Sequence, residues 1–231
     1  MRTKILLAAA AALALGISAS NAQVYSANVV GYANVVLAGN GAYTLVANPF
    51  DDGNGNQLTN ILNSALPNGS QVLTWDPITT YTTYQKGGTA HAWLTQTNLP
   101  PGVGFFVRNG NIGSGAPSVT NTFVGSVIVN TGNSVTNQVA LGYTLQASPI
   151  PYAGNVAING QTGGDTNMNF GAVVGNGSQI LTWDPVTTYT TAQKGGTAHV
   201  WLSTATVGVG QGFFIYNKNG PATNVVETFN P

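Results

Sequence analysis

Polar and ionisable residues that could bind a ligand are concentrated in one segment of this 231-residue chain, and that segment occurs twice. Each copy contains one aspartate, one lysine and one histidine, and both histidines of the chain lie in it. These residue types can exchange protons or hydrogen bond to a polar ligand. Together with one tyrosine from each copy, they are the candidate binding residues: Asp76, Tyr81, Lys86, His91, Asp184, Tyr189, Lys194 and His199.

The arrangement of these residues does not favour catalysis. They lack a Ser-His-Asp order, paired carboxylates and metal-ligand spacing. Each aspartate precedes a proline, so we expect it to open a turn by accepting hydrogen bonds from the backbone that follows. An ion pair between Asp76 and Lys86 is a second structural explanation, and His91 is expected to share a strand face with Trp93. We therefore predict that the protein is not an enzyme and uses no cofactor.

Two stretches of alternating oxygen-bearing side chains resemble the start of a calcium-binding loop. They have the spacing Asp-x-Asn-x-Asn and comprise Asp52, Asn54, Asn56, Asp165, Asn167 and Asn169. The rest of the pattern is missing, because position six is Gln57 or Phe170 instead of glycine and position twelve is asparagine instead of glutamate. We predict Asn-rich turns instead of metal sites, with weak calcium binding as the alternative.

Most aromatic residues are expected to pack in the core, and ligand binding is the alternative role. Burying an indole removes about 150–250 Å² from water, so the four tryptophans are predicted to be core residues: Trp75, Trp93, Trp183 and Trp201. Exposed tyrosines could stack on sugar rings, and the candidates are Tyr81, Tyr84, Tyr189 and Tyr216. Ala192 replaces Tyr84 in the second copy, and Arg108 stands where the second copy has Tyr216. The sequence therefore predicts no complete duplicated aromatic platform.

The duplicated segment belongs to a longer internal repeat. Residues 68–94 match residues 176–202 with four differences, and the Gly-Phe-Phe motifs at residues 104–106 and 212–214 keep the same spacing. The repeating unit is about 100 residues long, which is the size of a domain. Short alternating segments between Gly, Pro and Asn turns predict an all-β fold. We expect two tandem homologous β-sandwich or small-barrel domains, each with at most one short helix.

The linker between the two predicted domains is the Gly- and Pro-containing stretch at residues 110–118. We therefore expect domain 1 at residues 23–118 and domain 2 at residues 119–231. The stretch at residues 121–125 has the pattern of a strand. The sequence leaves open whether this strand closes the first domain, opens the second, or serves both.

The first residues have the pattern of a secretory signal peptide. Arg2 and Lys4 precede an apolar run that ends in small residues up to Ala22. Cleavage of residues 1–22 predicts a secreted, periplasmic or cell-surface protein without an integral membrane segment. The remaining chain has four basic and six acidic residues, a formal net charge of −2, so nucleic acid is not an expected partner. So few charges leave little repulsion between copies and predict self-association.

Several phrases resemble exported proteins of Verrucomicrobia-type bacteria. They are GAYTLVANPF, QVLTWDP, AWL and PGVGFFVRN, preceded by a VYSxNVVGYxNV phrase at residues 24–35. The resemblance covers nearly the whole chain after the signal peptide. It implies an exported β-repeat fold and no functional residue. The second copy departs from the pattern with Gly208 and Val209 at the places of Pro100 and Pro101.

The composition, the repeat and the resemblance favour a secreted or cell-surface structural protein that self-associates or coats the envelope. The alternative is a carbohydrate-binding module of the bacterial envelope or extracellular matrix. The expected partners are therefore further copies of the chain or envelope polysaccharide.

Overall fold

The computed structural model describes residues 30–128 and 134–228, and their fold is all-β, as predicted. The predicted signal peptide at residues 1–22 lies outside the described residues. Among the residues described, no helix is long and apolar enough to cross a membrane. Strands at residues 30–37 and 119–126 alternate in burial, whereas strands at residues 104–108 and 213–217 are buried almost throughout, and turns rich in Gly, Asn and Pro separate the strands.

Strands β1 to β7 form the first unit, and strands β8 to β16 form the second. The first unit contains β1 (Val30–Leu37), β2 (Tyr43–Ala47), helix α1 (Leu58–Ile61), β3 (Gln71–Asp76), β4 (Thr80–Gly87), β5 (Ala92–Trp93), β6 (Gly104–Arg108) and β7 (Val119–Ser126). The second contains β8 (Ser134–Val139), β9 (Gly142–Gln146), β10 (Gly154–Ala157), a 3-10 helix (Thr166–Ala172), β11 (Gln179–Asp184), β12 (Thr188–Gly195), β13 (Val200–Trp201), β14 (Ala205–Val207), β15 (Phe213–Asn217) and β16 (Thr223–Thr228).

Each unit contains a five-stranded antiparallel sheet with the same order of strands. The order is β2-β6-β3-β4-β5 in the first unit and β9-β15-β11-β12-β13 in the second. A two-stranded ribbon, β1 with β7 or β8 with β16, lies against one face of each sheet. The second unit has an additional pair, β10 with β14. This sandwich-like layering is compatible with the predicted duplication.

The core of each unit lies between its sheet and its ribbon. In the first unit, Phe105 from the sheet belongs to one apolar cluster with Phe123 from the ribbon. In the second unit, Phe213 from the sheet clusters with Val225 from the ribbon. All four side chains are almost fully buried, so burial of apolar surface stabilises each pair of layers.

Strand β7 pairs with β1 along its whole length, from Val30 opposite Ser126 to Leu37 opposite Val119. Strand β16 pairs in the same way with β8. The sequence leaves open which domain contains the strand at residues 121–125. Its pairing with β1 places this strand in the ribbon of the first unit. The predicted domain boundary after residue 118 stays a prediction, and this pairing favours a division after Ser126.

The two five-stranded sheets pack against each other through their remaining faces. Strand alternation directs Val72 into the core of the first unit and directs Leu73 and Trp75 to the opposite face. The repeat-equivalent residues Leu181 and Trp183 lie on the facing sheet. The buried residues of this third apolar cluster are Leu45, Phe106, Leu145 and Phe214. Each sheet is therefore apolar on both faces.

Glycine allows the backbones of the two units to approach closely. A Cβ atom added at Gly212 would lie 3.0 Å from the carbonyl oxygen of Val46 and 3.1 Å from the Cα atom of Gly104. Two backbone hydrogen bonds link the units beside this contact: Ala47 N–H to Gly210 O at 2.8 Å, and Ala147 N–H to Gly102 O at 3.1 Å. A larger residue at position 212 would push the units apart.

Candidate functional site

Asp76 and Asp184 end strands β3 and β11 and hold the turns that follow. The Oδ1 atom of Asp76 accepts hydrogen bonds at 2.8 Å from the amides of Thr79 and Ile78. Asp184 accepts equivalent bonds from the amides two and three residues ahead. These bonds lower the pKa of both carboxyls, and the bond from the amide three residues ahead has the largest effect. The predicted role of both aspartates as turn openers is confirmed.

Lys86 and Lys194 point into the protein, where their ammonium groups bind main-chain carbonyls. Only 3% of Lys86 and 5% of Lys194 is exposed, and burial lowers the pKa of both amines. Lys86 Nζ donates to the carbonyl oxygen of Ser64 at 2.6 Å. Lys194 Nζ donates to three carbonyl oxygens: Thr162 at 2.7 Å, Gly171 at 3.0 Å and Val174 at 3.0 Å. Both lysines therefore supply hydrogen-bond donors to main-chain carbonyls that lie outside the strands, and the Gly171 carbonyl also accepts a bond from Trp201 Nε1 at 3.3 Å.

The predicted ion pair between Asp76 and Lys86 is wrong. Asp76 lies opposite Thr80 at the tip of the β3–β4 hairpin, whereas Lys86 lies opposite Trp93 near the other end of β4. Thr80 and Lys86 are six positions apart along the strand, which corresponds to about 20 Å. The carboxylate and the ammonium group therefore belong to different parts of the hairpin.

His91 and His199 occupy the turns that follow β4 and β12, and both are exposed. Their φ angles of 50° and 53° lie in the left-handed region, which residues other than glycine adopt at a cost. The predicted placement of His91 on the strand face of Trp93 is wrong, because β5 begins only at Ala92. The aspartate, lysine and histidine of each copy are therefore spread along a hairpin and not brought together.

Side-chain oxygen atoms of the calcium candidates accept hydrogen bonds from the backbone of the protein. Asp52 Oδ1 accepts bonds at 2.8 Å from the amides of Asn54 and Asn56, and Asn56 Oδ1 accepts a bond from the Asp52 amide at 3.0 Å. Asp165 Oδ2 accepts a bond from the Asn155 amide at 2.6 Å. Within residues 30–128 and 134–228, no three His, Cys, Asp or Glu side chains lie together. The predicted Asn-rich turn is present at residues 52–56, but the prediction is wrong for the second stretch, because Asn167 and Asn169 lie in the 3-10 helix Thr166–Ala172. Calcium binding by either stretch stays untested.

Trp75 and Trp183 occupy equivalent positions between the two units. Both are half-buried, whereas Trp93 and Trp201 are 8% and 0% exposed inside the unit cores. The core prediction is therefore confirmed for Trp93 and Trp201. It is wrong for Trp75 and Trp183, because the sheet face that carries them packs on the other unit.

The aromatic contacts between the units are reciprocal. Trp75 packs edge-on against Phe214 with ring centroids 5.3 Å apart, and Trp183 packs edge-on against Phe106 at 5.2 Å. The indole N–H groups donate across the same interface: Trp75 Nε1 to Tyr143 O at 3.1 Å, and Trp183 Nε1 to Tyr43 O at 2.7 Å. Each contact is matched by its repeat equivalent, as at the interface of a twofold-symmetric dimer.

Two open grooves, which we call the twin grooves, lie beside these contacts. One has a volume of about 340 Å³ and is lined by Tyr43, Leu73, Tyr81, Phe106, Trp183 and Tyr189. The other has a volume of about 240 Å³ and is lined by Trp75, Tyr81, Tyr143, Leu181, Tyr189 and Phe214. Every residue that lines one groove has its repeat equivalent in the other, so an aromatic surface is duplicated, contrary to the prediction. Tyr84 and Tyr216, on which that prediction is based, line neither groove.

Tyr81 and Tyr189 line both twin grooves and are 40% and 39% exposed. Burial raises the pKa of Tyr189. The hydrogen bond with the neighbouring Tyr81 and the charge of Tyr81 raise this pKa further. Each tyrosine packs edge-on against the tryptophan opposite it in its own hairpin, at 5.0 Å and 4.8 Å between ring centroids. Of the eight predicted binding residues, the structure brings these two together.

Strands β4 and β12 leave part of their backbone unpaired at the edge of each sheet. Strand β5 pairs only with Lys86 and Gly87, so no other described strand covers residues 80–84 on that side. Strand β13 is equally short, and residues 188–192 of β12 are uncovered in the same way. We call these two stretches the open edges. Their sequences, TYTTY and TYTTA, contain no charged residue.

Sequence reasoning missed six residues of the twin grooves: Tyr43, Leu73, Phe106, Tyr143, Leu181 and Phe214. The available signal is that neighbouring strand residues such as Val72 and Leu73 are both apolar, which indicates a sheet covered on both faces. Comparison of the chain with protein-family models, with curated proteins and with solved structures found no match.

Proposed function

We propose that this protein is an exported structural protein of the cell surface, that it has no catalytic activity, and that it acts by associating with further copies of itself. The observation that carries the proposal is the pair of uncharged open edges. Exposed strand edges pair readily with other strands, and soluble proteins commonly protect them with lysine, proline or bulges. Residues 80–84 and 188–192 have none of these protections.

The low charge of the chain supports association. Charged residues make up 5% of the sequence, whereas soluble proteins carry about 25%. Repulsion between copies is therefore small. The exported location rests on the signal-peptide pattern of residues 1–22, which lie outside the described residues.

The positions of the polar candidates support a non-catalytic role. Asp76 holds its own turn, Lys86 binds a main-chain carbonyl, and His91 lies in an exposed turn at the other end of β4 from Asp76. Their equivalents in the second unit are placed in the same way. The aspartate and the lysine of each copy therefore have a structural role, and neither lies beside the histidine.

Sedimentation velocity of the mature chain, residues 23–231, over a range of concentrations tests the proposal. We expect the mean mass to rise with concentration and electron microscopy to show assemblies. Fractionation of the cells that make the protein should place it in the envelope or the medium. A mature chain that stays monomeric at the highest concentration reached, or a cytoplasmic location, would contradict the proposal.

The twin grooves favour a second candidate function, which is binding of a neutral polysaccharide. Their walls are aromatic rings, which can pack on the apolar faces of sugar rings, and no charged side chain lines either groove. Co-sedimentation with insoluble polysaccharide should compare the Tyr81→Ala, Tyr189→Ala double variant with Tyr32→Ala, which removes an exposed tyrosine outside the grooves. Binding lost only in the groove variant would support this function, and unchanged binding would reject it.

A further inference from the structure

We propose that copies of the chain associate by pairing their open edges as antiparallel strands. The occupant of each open edge is β4 or β12 of a second copy of this chain. This inference rests on the proposed function and specifies the contact that it requires.

The hydrogen bonds of β4 identify the backbone groups that face outward. Lys86 N–H donates at 2.8 Å on the β3 side, whereas the Gln85 carbonyl accepts at 2.9 Å from Leu94 N–H on the outer side. Backbone groups of consecutive residues in an antiparallel strand point to opposite edges. The N–H and C=O groups of Tyr81 and Thr83 therefore point outward, where no described strand meets them.

Strand β12 has the same alternation. Lys194 N–H donates inward at 2.9 Å, and the Gln193 carbonyl accepts from Leu202 N–H at 2.9 Å on the outer side. The N–H and C=O groups of Tyr189 and Thr191 therefore point outward. Each open edge presents two donors and two acceptors, which is the pattern that another antiparallel strand can satisfy.

The chemistry of the open edges suits a second copy of the chain. Both edges begin Thr-Tyr-Thr-Thr, so an antiparallel pair places threonine and tyrosine side chains opposite one another, which are favourable cross-strand neighbours. The edges carry no charge, so two copies meet without like-charge repulsion. The hairpin tips beside the edges expose Ile78 and Val186, at 88% and 86%, and contact with a second copy would remove this apolar surface from water.

The small size of each contact determines the kind of assembly. A few backbone hydrogen bonds contribute little net free energy, so one edge pair is weak. Each chain has two open edges, so association can continue beyond a dimer. The expected product is therefore a concentration-dependent assembly instead of a tight dimer.

Proline at an outward position tests the contact, because it removes an outward N–H without removing a hydrogen bond to β3 or β11. The test variant combines Thr83→Pro with Thr191→Pro, and the matched control combines Thr83→Ala with Thr191→Ala. We expect the control to assemble like the wild type. The proline variant should need about tenfold more protein for half-assembly, because each contact loses about two hydrogen bonds. Circular dichroism and thermal unfolding establish that each variant is folded.

A lysine variant keeps the test decisive if proline disturbs the hairpin. Thr83→Lys with Thr191→Lys places like charges on meeting edges and changes no backbone group. Assembly should weaken at low salt and recover when salt screens the charges.

The outcomes separate this inference from the proposed function. If the wild-type chain assembles and the folded proline and lysine variants assemble equally well, the open edges are not the contact and the inference is overturned. The proposed function then stands, and the outer face of β1 and β7, where Tyr32 is 75% exposed, is the next surface to test. If the wild-type chain stays monomeric, both the inference and the proposed function fail.

Discussion

Replacing Glu227 with glutamine should remove most of the pH dependence of stability. Glu227 lies in β16 with no exposed surface, and its Oε2 atom accepts a hydrogen bond from Ser148 Oγ at 2.5 Å. Its Oε1 atom has no hydrogen-bond partner among the described residues. Burial raises the pKa of Glu227 from 4.5 to about 8, against the opposing effect of the Ser148 bond. The folded protein therefore holds this carboxyl in its neutral form at pH 7.

The sign and size of the effect follow from proton linkage. The folded pKa lies above the unfolded one, so the stability that Glu227 contributes is fully present below pH 4.5 and is lost as the pH rises through 8. One pKa unit corresponds to about 1.4 kcal/mol, so the complete loss is about 5 kcal/mol. Most of it, about 4 kcal/mol, should fall between about pH 5 and pH 9.

Urea unfolding at pH 5, 7 and 9, followed by tryptophan fluorescence, measures this dependence. Glutamine has the shape of the neutral carboxyl and cannot ionise, so Glu227→Gln should be about as stable at pH 9 as at pH 5. The control is Asp184→Asn, which removes an exposed carboxylate and should leave the loss above pH 5 unchanged. Equal losses in the wild type and Glu227→Gln between pH 5 and 9 would refute the reasoning.

Two further predictions concern the buried lysines and the Asn-rich loops. Lys194→Met should lower the urea midpoint more than Lys86→Met, because three carbonyls lose a donor instead of one. Each such bond contributes about 1.5–3 kcal/mol. Equal decreases of the midpoint in the two variants would contradict this. EDTA should leave the melting temperature unchanged, because Asp52 and Asn56 already accept backbone hydrogen bonds. A fall in EDTA that calcium reverses would show that these loops bind calcium.

Features that depend on neighbours in the chain are predictable from the sequence. Apolar and polar alternation indicates the strands, and the Asp76-Pro77 pair predicts its own turn. The environment of Lys86 is not predictable in this way. Lysine is normally exposed, and the Ser64 carbonyl that binds Lys86 belongs to a loop 22 positions away, whose path depends on the fold.

The candidate binding surfaces depend on how the two units pack. Trp183 donates to the carbonyl of Tyr43 across 140 positions of sequence, and no local pattern specifies that contact. Adjacent apolar residues such as Phe105 and Phe106 indicate a sheet covered on both faces, but they do not identify the second layer. The open edge of β4 exists because β5 is only two residues long. This length is not predictable, because residue patterns specify the ends of strands poorly.

Amide hydrogen exchange at β4 and β12 tests self-association through the open edges most directly. The outward amides of Thr83 and Thr191 should exchange rapidly in dilute, monomeric protein, because no described strand covers them. In concentrated, assembled protein they should become protected, while amides in the exposed turn at Gly88 should not change. If the amides of Thr83 and Thr191 exchange equally fast in both samples, the copies do not associate through their open edges.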